Sequence, residues 1–498
     1  MKIIVHRGFD QVGGSIVEIS TDTTRIFIDM GENLPGSGKM SQEEEKSYVD
    51  RLFAQNKKEK EAVFYTHGHG DHVGMMQYVP KHVSQYMSKG TKRLLCIKEN
   101  NLLETFEHRL ESVQSQIAYK ESYYTFVDKI KDFFSYIIPF KNYRRTLISL
   151  KKELVQLQKN IAYQQNICHT LNRVITWERS RLGNGSLLVK FGDISITPYL
   201  VSHAIYDAHG FLVEAEGKRI FHTGDYRGHG HLSELSFAGF RKIGQIDYLI
   251  SEGSMLSEGD KRCETEAQIS AQMEEVMRQY KYVFVLSSST DYERLMSVGM
   301  AANKVGKRML YSTPLLGKMM NYFNTVNNSD IFNSDAYRLL KRNEEFVVKN
   351  KQNLDEGFVM LITTGSMAVI EEWCKYVSQN DMVMIYSVWS GYCEKILVSH
   401  SVPIYKRLRR KFNHVVDIHT SGHADVKAIT DTINLFNPRE GIIGIHKDCG
   451  TSMADLDISD ELKSKVIEDV KKDACVVVKR VNFIKRVFSR MRIKIMNF

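Results

Sequence analysis

Short apolar runs divided by turn residues open the chain. Residues 3–5, 15–19 and 25–30 are three such runs, with glycine-containing turn signals among them. Runs of this length and composition predict short β-strands. A fourth run, residues 62–65, is followed at once by a polar, glycine-rich segment. We therefore predict a buried strand that ends in a sharp turn at that point.

Strands return after residue 187 and then alternate with helical patterns. Helices are predicted over 262–280 and 292–305, and strands over 283–290, 357–366 and 381–387. Strands that alternate with helices favour a parallel sheet covered on both faces, which is typical of the α/β class.

Between these two parts, apolar residues recur at spacings of three and four in two separate runs. The runs are Leu103, Phe106, Leu110, Val113, Ile117 and Leu147, Leu150, Leu154, Leu157, Ile161. Pro139 lies between them and would break a helix, so we predict two long helices folded as a hairpin with coiled-coil packing.

The stripes of this hairpin have two possible uses. They pack one helix on the other, or they bind a second copy of the chain or a partner protein. Aromatic residues near the bend favour a contact, since large apolar patches usually mark one; they are Tyr123, Tyr124, Phe126, Phe133, Phe134, Tyr136 and Phe140.

Composition is that of an ordinary soluble globular protein, with 43% hydrophobic and 26% charged residues in 498. The N-terminus has no apolar signal core and no run is long enough to span a membrane. The seven cysteines are scattered and form no Cys-x-x-Cys pair. This argues against a disulfide framework or a thiolate zinc site, and it predicts a cytoplasmic protein.

The net charge of +9 is distributed unevenly along the chain. Residues 479–498 carry seven Lys and Arg residues and no acid. A segment of this kind either binds a polyanion or forms a solvated charged surface.

Candidate chemistry is concentrated in the segment that follows the strand at 62–65. Three histidines and an aspartate occupy six positions there: His67, His69, Asp71 and His72. Imidazole and carboxylate groups are ligands for divalent metals such as Zn²⁺. In an extended chain His67 and His69 point to the same side, whereas the adjacent Asp71 and His72 diverge and can serve a second ion. The alternative is a polar turn with incidental histidines.

Further candidates stand where later apolar strands end. His203 and Asp225 each follow such a strand, and His209, His222, His229 and His231 are rivals to them. Asp29, Glu252 and His446 also end strands. The hydroxyl-rich strand end Ser287, Ser288, Ser289 and the Ser421-Gly422-His423-Ala424 run could bind phosphate through backbone N–H groups and side chains.

This ordered set resembles the metallo-β-lactamase superfamily, whose signature is the His-x-His-x-Asp-His run. Glu252, the run at 421–424 and His446 resemble motifs A, B and C of its β-CASP nuclease subgroup, and RNase J-like enzymes are the most similar members. Gly70 stands where those enzymes usually carry glutamate. The resemblance implies an α/β fold made of an αββα sandwich and an inserted β-CASP domain, and the helical hairpin predicted above is an insertion that the common core of the family lacks. The resemblance covers roughly residues 1–98 and 185–450. Together with the hairpin and the basic tail it predicts the divisions 1–98 and 185–260 (sandwich), 99–184 (hairpin), 261–395 (β-CASP), 396–450 (return to the sandwich) and 451–498 (basic tail).

The resemblance also implies roles for the candidates. Two Zn²⁺ ions, or Mn²⁺, would activate a hydroxide: His67, His69 and His203 hold one ion, Asp71, His72 and His446 hold the other, and Asp225 bridges them. Asp29 supports the metal loop. Asp71, Glu252 and His423 are the implied catalytic residues, with His423 as proton donor or phosphate ligand.

A metal-dependent ribonuclease is therefore the expected function, because a histidine in the position of His446 accompanies RNA nucleases in this subgroup. Whether it cuts internally or from the 5′ end stays open. RNA is the expected partner and single-stranded DNA a possible one. The alternatives are a DNA nuclease of the same fold, a small-molecule metallohydrolase and a non-catalytic binding protein.

Overall fold

The computed structural model describes residues 1–129, 140–177, 188–327, 330–336, 350–393, 402–468 and 475–477. It divides into two compact units. The first unit contains Met1–Thr91 and Ile175–Phe498, and the second contains Lys92–Val174. Within the described residues, no helix combines the length and the apolar character needed to cross a membrane.

The strands of the described residues form three sheets. In chain order they are β1 (Lys2–Arg7), β2 (Ile16–Ser20), β3 (Thr24–Ile28), β4 (Lys60–Phe64), β5 (Ser84–Ser88), β6 (Ile175–Trp177), β7 (Val189–Phe191), β8 (Ile194–Leu200), β9 (His209–Ala215), β10 (Lys218–His222), β11 (Tyr248–Glu252), β12 (Tyr282–Leu286), β13 (Met309–Tyr311), β14 (Asp335–Ala336), β15 (Phe358–Ile362), β16 (Met382–Tyr386), β17 (Val415–Asp417), β18 (Gly441–Ile445) and β19 (Cys475–Val477).

The α-helices range from one turn to more than ten turns in length. They are α1 (Gln42–Ala54), α2 (Gly70–Val73), α3 (Lys89–Lys129), α4 (Phe140–Arg173), α5 (Ser233–Ile243), α6 (Glu266–Gln279), α7 (Tyr292–Lys304), α8 (Pro314–Asn327), α9 (Lys351–Glu356), α10 (Met367–Trp373), α11 (Val402–Arg409), α12 (Val426–Phe436) and α13 (Asp460–Lys463). Capping follows the sequence: Ser41 with Glu44, and Thr265 with Gln268, form capping boxes at α1 and α6.

The first two sheets are mixed and share one hydrophobic core. Their strand orders are β19-β1-β2-β3-β4-β5-β6 and β18-β11-β10-β9-β8-β7. Alternate residues of each strand face the shared core, such as Ile26 and Ile28 of β3 and Phe211 and Val213 of β9. Because side chains alternate between the faces of a strand, this period-two pattern packs one sheet on the other.

Helices cover the outer faces of these two sheets. On the first sheet, the ring of Phe27 in β3 contacts Phe53 of α1, with centroids 4.9 Å apart. On the second sheet, Phe221 of β10 contacts Phe240 of α5 and Phe436 of α12. The result is four layers, helix–sheet–sheet–helix, around the sandwich core.

The third sheet consists of the strands that lie between β11 and β18 in the sequence. All of its strands are parallel, and their order is β14-β13-β15-β12-β16-β17. Its core joins alternate strand residues such as Phe284, Met360 and Met384 to Trp373 at the end of α10. Strands buried on both faces explain the nearly continuous apolar runs of this part of the sequence.

The second unit consists of α3 and α4 packed side by side. Val113 and Ile117 of α3 meet Leu150 and Leu157 of α4 in a buried seam. The helices run antiparallel, since Gln164 Nε2 donates to Glu99 Oε2 near one end while Lys151 pairs with Glu121 further along. The apolar stripes therefore pack one helix against the other.

The predicted α/β class is confirmed by this mixture of sheets and helices. The boundary predicted at 184–185, the basic tail 479–498, Pro139 and the aromatic residues Phe133, Phe134 and Tyr136 lie outside the described residues, as do the side chains of Tyr124, Phe126 and Phe140.

Candidate metal centre

The segment after β4 is fixed in place by Asp29, which follows β3. Asp29 adopts a left-handed backbone conformation, with φ of 66°. Its carboxylate accepts hydrogen bonds from the Thr66 backbone N–H at 2.7 Å and from the Thr66 hydroxyl at 2.8 Å. It also lies 2.7 Å from His72 Nδ1. Asp29 thus holds both ends of the segment from Thr66 to His72, as the sequence predicts for a supporting residue.

Three imidazoles form a first group of possible ligands. His67 Nε2 lies 3.0 Å and His203 Nε2 lies 3.1 Å from His69 Nδ1. The outer nitrogens are held by oxygen atoms: His203 Nδ1 donates to the Gly422 carbonyl at 2.6 Å, and His67 Nδ1 lies 3.0 Å from the Thr66 hydroxyl. Because that hydroxyl already donates to Asp29, it accepts from His67. Both rings therefore turn Nε2 towards the group.

A second group consists of Asp71, His72 and His446, which follows β18. His446 Nε2 lies 3.0 Å from Asp71 Oδ2, and His72 Nε2 lies 3.7 Å from the same oxygen. The Ser254 hydroxyl donates to the His446 carbonyl and accepts from His446 Nδ1 at 2.8 Å. In this group too, each imidazole is oriented through Nδ1 and presents Nε2.

Asp225, in the turn after β10, stands between the two groups. Its Oδ2 atom lies 3.1 Å from His72 Nε2 and 3.5 Å from His446 Nε2. The same atom is 3.9 Å from Nε2 of both His67 and His203. One carboxylate oxygen is therefore within 4 Å of four imidazoles drawn from both groups. This is the position expected of a bridging ligand.

The donor set fits divalent metal ions. His72 Nε2 is buried and makes no hydrogen bond to any described residue, although it lies 3.1 Å from Asp225 Oδ2. Nδ1–H groups that donate to carboxylate or carbonyl oxygens are the usual outer partners of metal-bound histidine. Ligand atoms of His67, His69 and His203, and those of Asp71, His72 and His446, lie within 4.8 Å of one another. Nitrogen and carboxylate donors of this kind suit Zn²⁺ or Mn²⁺.

Burial and close charges determine the electrostatics of these two groups and Asp225, which together are called the pocket around Asp225. Burial, followed by neighbouring imidazoles, lowers the pKa of His67 and His203 well below the ordinary value, and burial lowers the pKa of His69 to about 4. Burial opposes ionisation of Asp225, but His446 and His72 outweigh it and hold its pKa well below the usual range. The carboxylates in turn raise the pKa of His72 against the effect of burial.

His423 and Glu252 form a pair beside these ligands. His423 Nδ1 lies 3.0 Å from Glu252 Oε2, and its side chain is 27% exposed, whereas Glu252 is fully buried. Glu252 ends β11 and also accepts from the Tyr226 backbone N–H at 2.8 Å. Burial works against protonation of His423, but the charge of Glu252 and its hydrogen bond raise the pKa of His423 to about 9. Glu252 therefore favours the protonated form of the ring, which is accessible from solvent.

The predicted substrate-binding residues contact the loops that carry the histidines. Ser421 and Gly422 direct their carbonyl oxygens to His229 and His203, and the Ser421 hydroxyl accepts from the His423 N–H. A Cβ on Gly422 would lie 2.5 Å from Ala204 Cβ, so only glycine fits. Ser287, Ser288 and Ser289 follow β12; the next residue, Thr290, accepts from the Tyr206 N–H in the loop that carries His203. Their binding of phosphate stays a prediction.

The rival histidines have other partners. His209 Nδ1 donates to the Asp207 carbonyl, and His222 Nδ1 accepts from the Gly224 N–H. His231 Nε2 lies 2.8 Å from the Ser297 hydroxyl. His229 belongs to a separate group with Cys263 and Asp425.

Sequence reasoning missed two residues at the site. Ser254 links His446 to His423, with its hydroxyl 2.8 Å and 3.2 Å from their Nδ1 atoms; its place two residues after Glu252 was the available signal. Glu32 was not foreseen at all. A Cβ on Gly70 would lie 2.6 Å from Glu32 Oε1, so the Glu32 carboxylate occupies the space that a side chain at position 70 would need.

Comparison with known proteins gives a fold and no function. No protein-family model and no curated protein matches the chain. Among solved structures, the chain is similar to one described as the crystal structure of a protein of unknown function from Enterococcus faecalis V583. The two are 16% identical, the TM-score is 0.59, and the match covers 90% of this chain and 94% of that one. At this identity the likeness shows that the two chains share a fold.

Proposed function

We propose that this chain is a metal-dependent phosphodiesterase of the metallo-β-lactamase superfamily, β-CASP subgroup, and that its substrate is RNA. The observation that carries the proposal is the position of Asp225 Oδ2, within 4 Å of four imidazole Nε2 atoms from two groups. Four histidines oriented through Nδ1 around one carboxylate suit a two-metal site. Zn²⁺, with Mn²⁺ as the alternative, is the proposed metal.

The layered fold supports the same assignment. Two mixed sheets with helices on their outer faces agree with an αββα sandwich. The parallel third sheet, inserted between β11 and β18, agrees with a β-CASP domain. Asp225, Glu252 and His446 follow or end β10, β11 and β18, which are neighbouring parallel strands. Their carboxyl ends therefore meet at one edge of the second sheet, where ligands of α/β proteins commonly bind.

In the proposed reaction, His67, His69 and His203 would hold one ion, Asp71, His72 and His446 would hold the other, and Asp225 would be shared between the two groups. When bound, the ions would lower the pKa of a water molecule and offset negative charge on the phosphate oxygens. His423, whose protonated form Glu252 favours, would donate its proton to the leaving oxygen. Glu252 keeps that imidazole charged and fixes its orientation through the 3.0 Å contact to Nδ1.

Exposed aromatic rings near the pocket favour a nucleic-acid substrate over a small molecule. Trp389 and Tyr392 follow β16 and are 51% and 36% exposed. Their ring centroids are 5.7 Å apart, and burial together with the charge of Asp71 raises the pKa of Tyr392. Aromatic faces next to a reaction site stack on the unpaired bases of single strands. His446, as the motif C histidine, favours RNA over DNA.

The test is cleavage of 5′- and 3′-labelled single-stranded RNA and DNA of one sequence, by protein loaded with Zn²⁺ or Mn²⁺, with and without chelator. We expect chelator-sensitive cleavage of RNA, and the two labels distinguish internal from terminal cutting. His423→Ala should keep its metal and lose roughly 10²–10⁴ in rate, the usual contribution of a positioned acid. His414, outside the pocket, provides a matched His→Ala control.

Three results would overturn parts of the proposal. Preference for DNA would identify a DNA nuclease of the same fold. Hydrolysis of acyl or thioester substrates without phosphodiester cleavage would identify a small-molecule hydrolase. Metal-replete protein without any hydrolytic activity would point to a binding protein.

A further inference from the structure

Three further metal-ligating side chains meet away from Asp225. His229 lies in the segment that follows Asp225, Cys263 precedes α6, and Asp425 is the N-cap residue of α12. One potential ligand atom from each lies within 4.8 Å of the other two. Ligand atoms about 2.0–2.3 Å from a tetrahedral Zn²⁺ ion stand roughly 3.5 Å apart. A small closure would therefore bring all three atoms to bonding distance.

The orientation of His229 points to an ion. The side chain is 5% exposed. Its Nε2–H donates to the Ser421 carbonyl at 2.7 Å, so the neutral ring has a bare lone pair on Nδ1. Among the described residues, nothing hydrogen-bonds to that buried Nδ1 atom. A histidine held through one nitrogen by a carbonyl, with the other nitrogen free, is the arrangement found in metal sites.

The other two side chains keep free coordinating capacity. Asp425 accepts from the Ala428 N–H through Oδ1 and from the Cys263 N–H through Oδ2, at 2.9 Å and 3.3 Å. A carboxylate has about four lone-pair sites, so these contacts leave room for a metal bond. The Cys263 thiol faces the Met255 thioether sulfur at 3.7 Å, a weak acceptor that does not compete with a metal ion.

We propose that His229 Nδ1, Cys263 Sγ and an Asp425 carboxylate oxygen form an additional Zn²⁺ site, separate from the pocket around Asp225. One thiolate, one imidazole and one carboxylate with an open fourth position suit Zn²⁺ better than Mg²⁺ or Ca²⁺. On binding, the thiol loses its proton to solvent and the sulfur becomes a thiolate ligand. Sequence spacing gave no sign of this site, because its only cysteine stands alone.

The site would fix the loop that carries His423. Asp425 lies two residues after His423, and the Ser421 carbonyl receives its hydrogen bond from the same His229 ring. A bound ion would tie the segments around 229, 263 and 425 to one another. It would thereby hold the 421–425 loop in a single conformation without contacting the substrate.

Zinc content and cobalt absorption test the site in the full chain. After saturation with Zn²⁺ and removal of loose metal, Cys263→Ala and Asp425→Asn should each hold one equivalent of Zn²⁺ per chain fewer than wild type. Asparagine still caps a helix, so the second variant removes the ligand charge and keeps the α12 cap. Wild type loaded with Co²⁺ should show a thiolate-to-metal charge-transfer band that Zn²⁺ displaces and that Cys263→Ala lacks.

Two controls separate this site from the proposed nuclease centre. Cys449→Ala, at an exposed cysteine, should keep the band. His67→Ala, which damages the pocket around Asp225, should also keep it, so the two sites can fail independently. Equal zinc in wild type and Cys263→Ala, absence of the cobalt band in wild type, or its loss in His67→Ala would each overturn the proposal.

Discussion

The helical pair α3–α4 and the pocket around Asp225 both join residues that are far apart in the chain. The first does so through apolar side chains and the second through ionisable ones. In the helical pair, Val113 and Leu150 lie in an apolar seam and charged residues stay at the surface. The Arg109–Glu153 ion pair is partly exposed, with side chains 49% and 36% accessible. Such pairs add little to stability, so the seam supplies most of what holds the two helices together.

In the pocket, buried imidazoles and carboxylates face one another instead. Burial and neighbouring rings lower the pKa of His67 and His203, while Asp225, Asp29 and Asp71 raise the pKa of His72. Burying ionisable side chains this close together costs free energy of folding unless a bound cation offsets the negative charge of the carboxylates. We infer that the helical pair is stable by its own packing, whereas the pocket gains stability from metal.

Metal removal should separate the two regions most strongly. Chelation should abolish phosphodiesterase activity. If the free metal concentration is 100 times the Kd of a site, removing the metal should lower the free energy of unfolding by about 2.7 kcal/mol for one site, or about 5 kcal/mol for two. Hydrogen exchange with and without chelator should show faster exchange in strands β4 and β10. The α3–α4 seam should be unchanged; equal loss of protection there would contradict the comparison.

Substitution in the seam should give the reverse result. Leu150→Ala removes a side chain from the core of the helical pair and should cost about 3 kcal/mol of stability. Zinc content and cleavage rate should match wild type. Ile148→Ala, on the same helix but 49% exposed, is the matched control and should have little effect. Loss of metal in Leu150→Ala would show that the two regions depend on each other.

A single added methyl group should disturb the pocket. Gly422→Ala places a Cβ 2.5 Å from Ala204 Cβ and shifts the carbonyl that orients His203. We expect a loss of about 2 kcal/mol in stability and weaker zinc binding. Gly365→Ala, where the Cβ would meet nothing nearer than 3.7 Å, is the control. Unchanged zinc affinity in Gly422→Ala would show that the carbonyl is dispensable.

The smallest effect concerns the pH dependence of cleavage. Glu252 raises the pKa of His423 to about 9, so the proton donor is present below that pH and is lost as pH rises through it. Glu252→Gln removes the charge and should move the alkaline limb of the rate profile down by about one unit or more, about 1.4 kcal/mol per unit. Glu461→Gln, at an exposed glutamate that pairs with Lys465 and has no role at the site, serves as the matched control. An unmoved limb in Glu252→Gln would show that another group controls it.

The two regions also differ in what the sequence could predict. Spacings of three and four residues predicted the helices and their contact faces, because each helix packs through a single stripe. The strands and the α/β class were predictable because the apolar runs and their alternation with helical patterns are local features of the sequence. The pairing of β19 with β1 was not, since residues 475–477 carry no pattern that selects a partner strand.

In the pocket, residue types at strand ends indicated every predicted ligand that the structure brings together. Contacts that depend on loop conformation could not be predicted from the sequence. The place of Glu32 beside Gly70 follows from how two loops approach each other. The meeting of His229, Cys263 and Asp425 likewise depends on three separate segments, and no motif spacing encodes it.

The contact between Asp71 and His446 has a consequence for how the protein is made. These two residues are 375 positions apart, and β18 must lie beside β11 before His446 can reach the pocket. At about 5–20 residues per second, a ribosome needs roughly 20–75 s to synthesise that stretch. Six of the seven proposed ligands, from His67 to Asp225, are synthesised before the third sheet, and His446 is synthesised last. If the proposed metal site exists, its full set of ligands is therefore complete only after the third sheet has been synthesised.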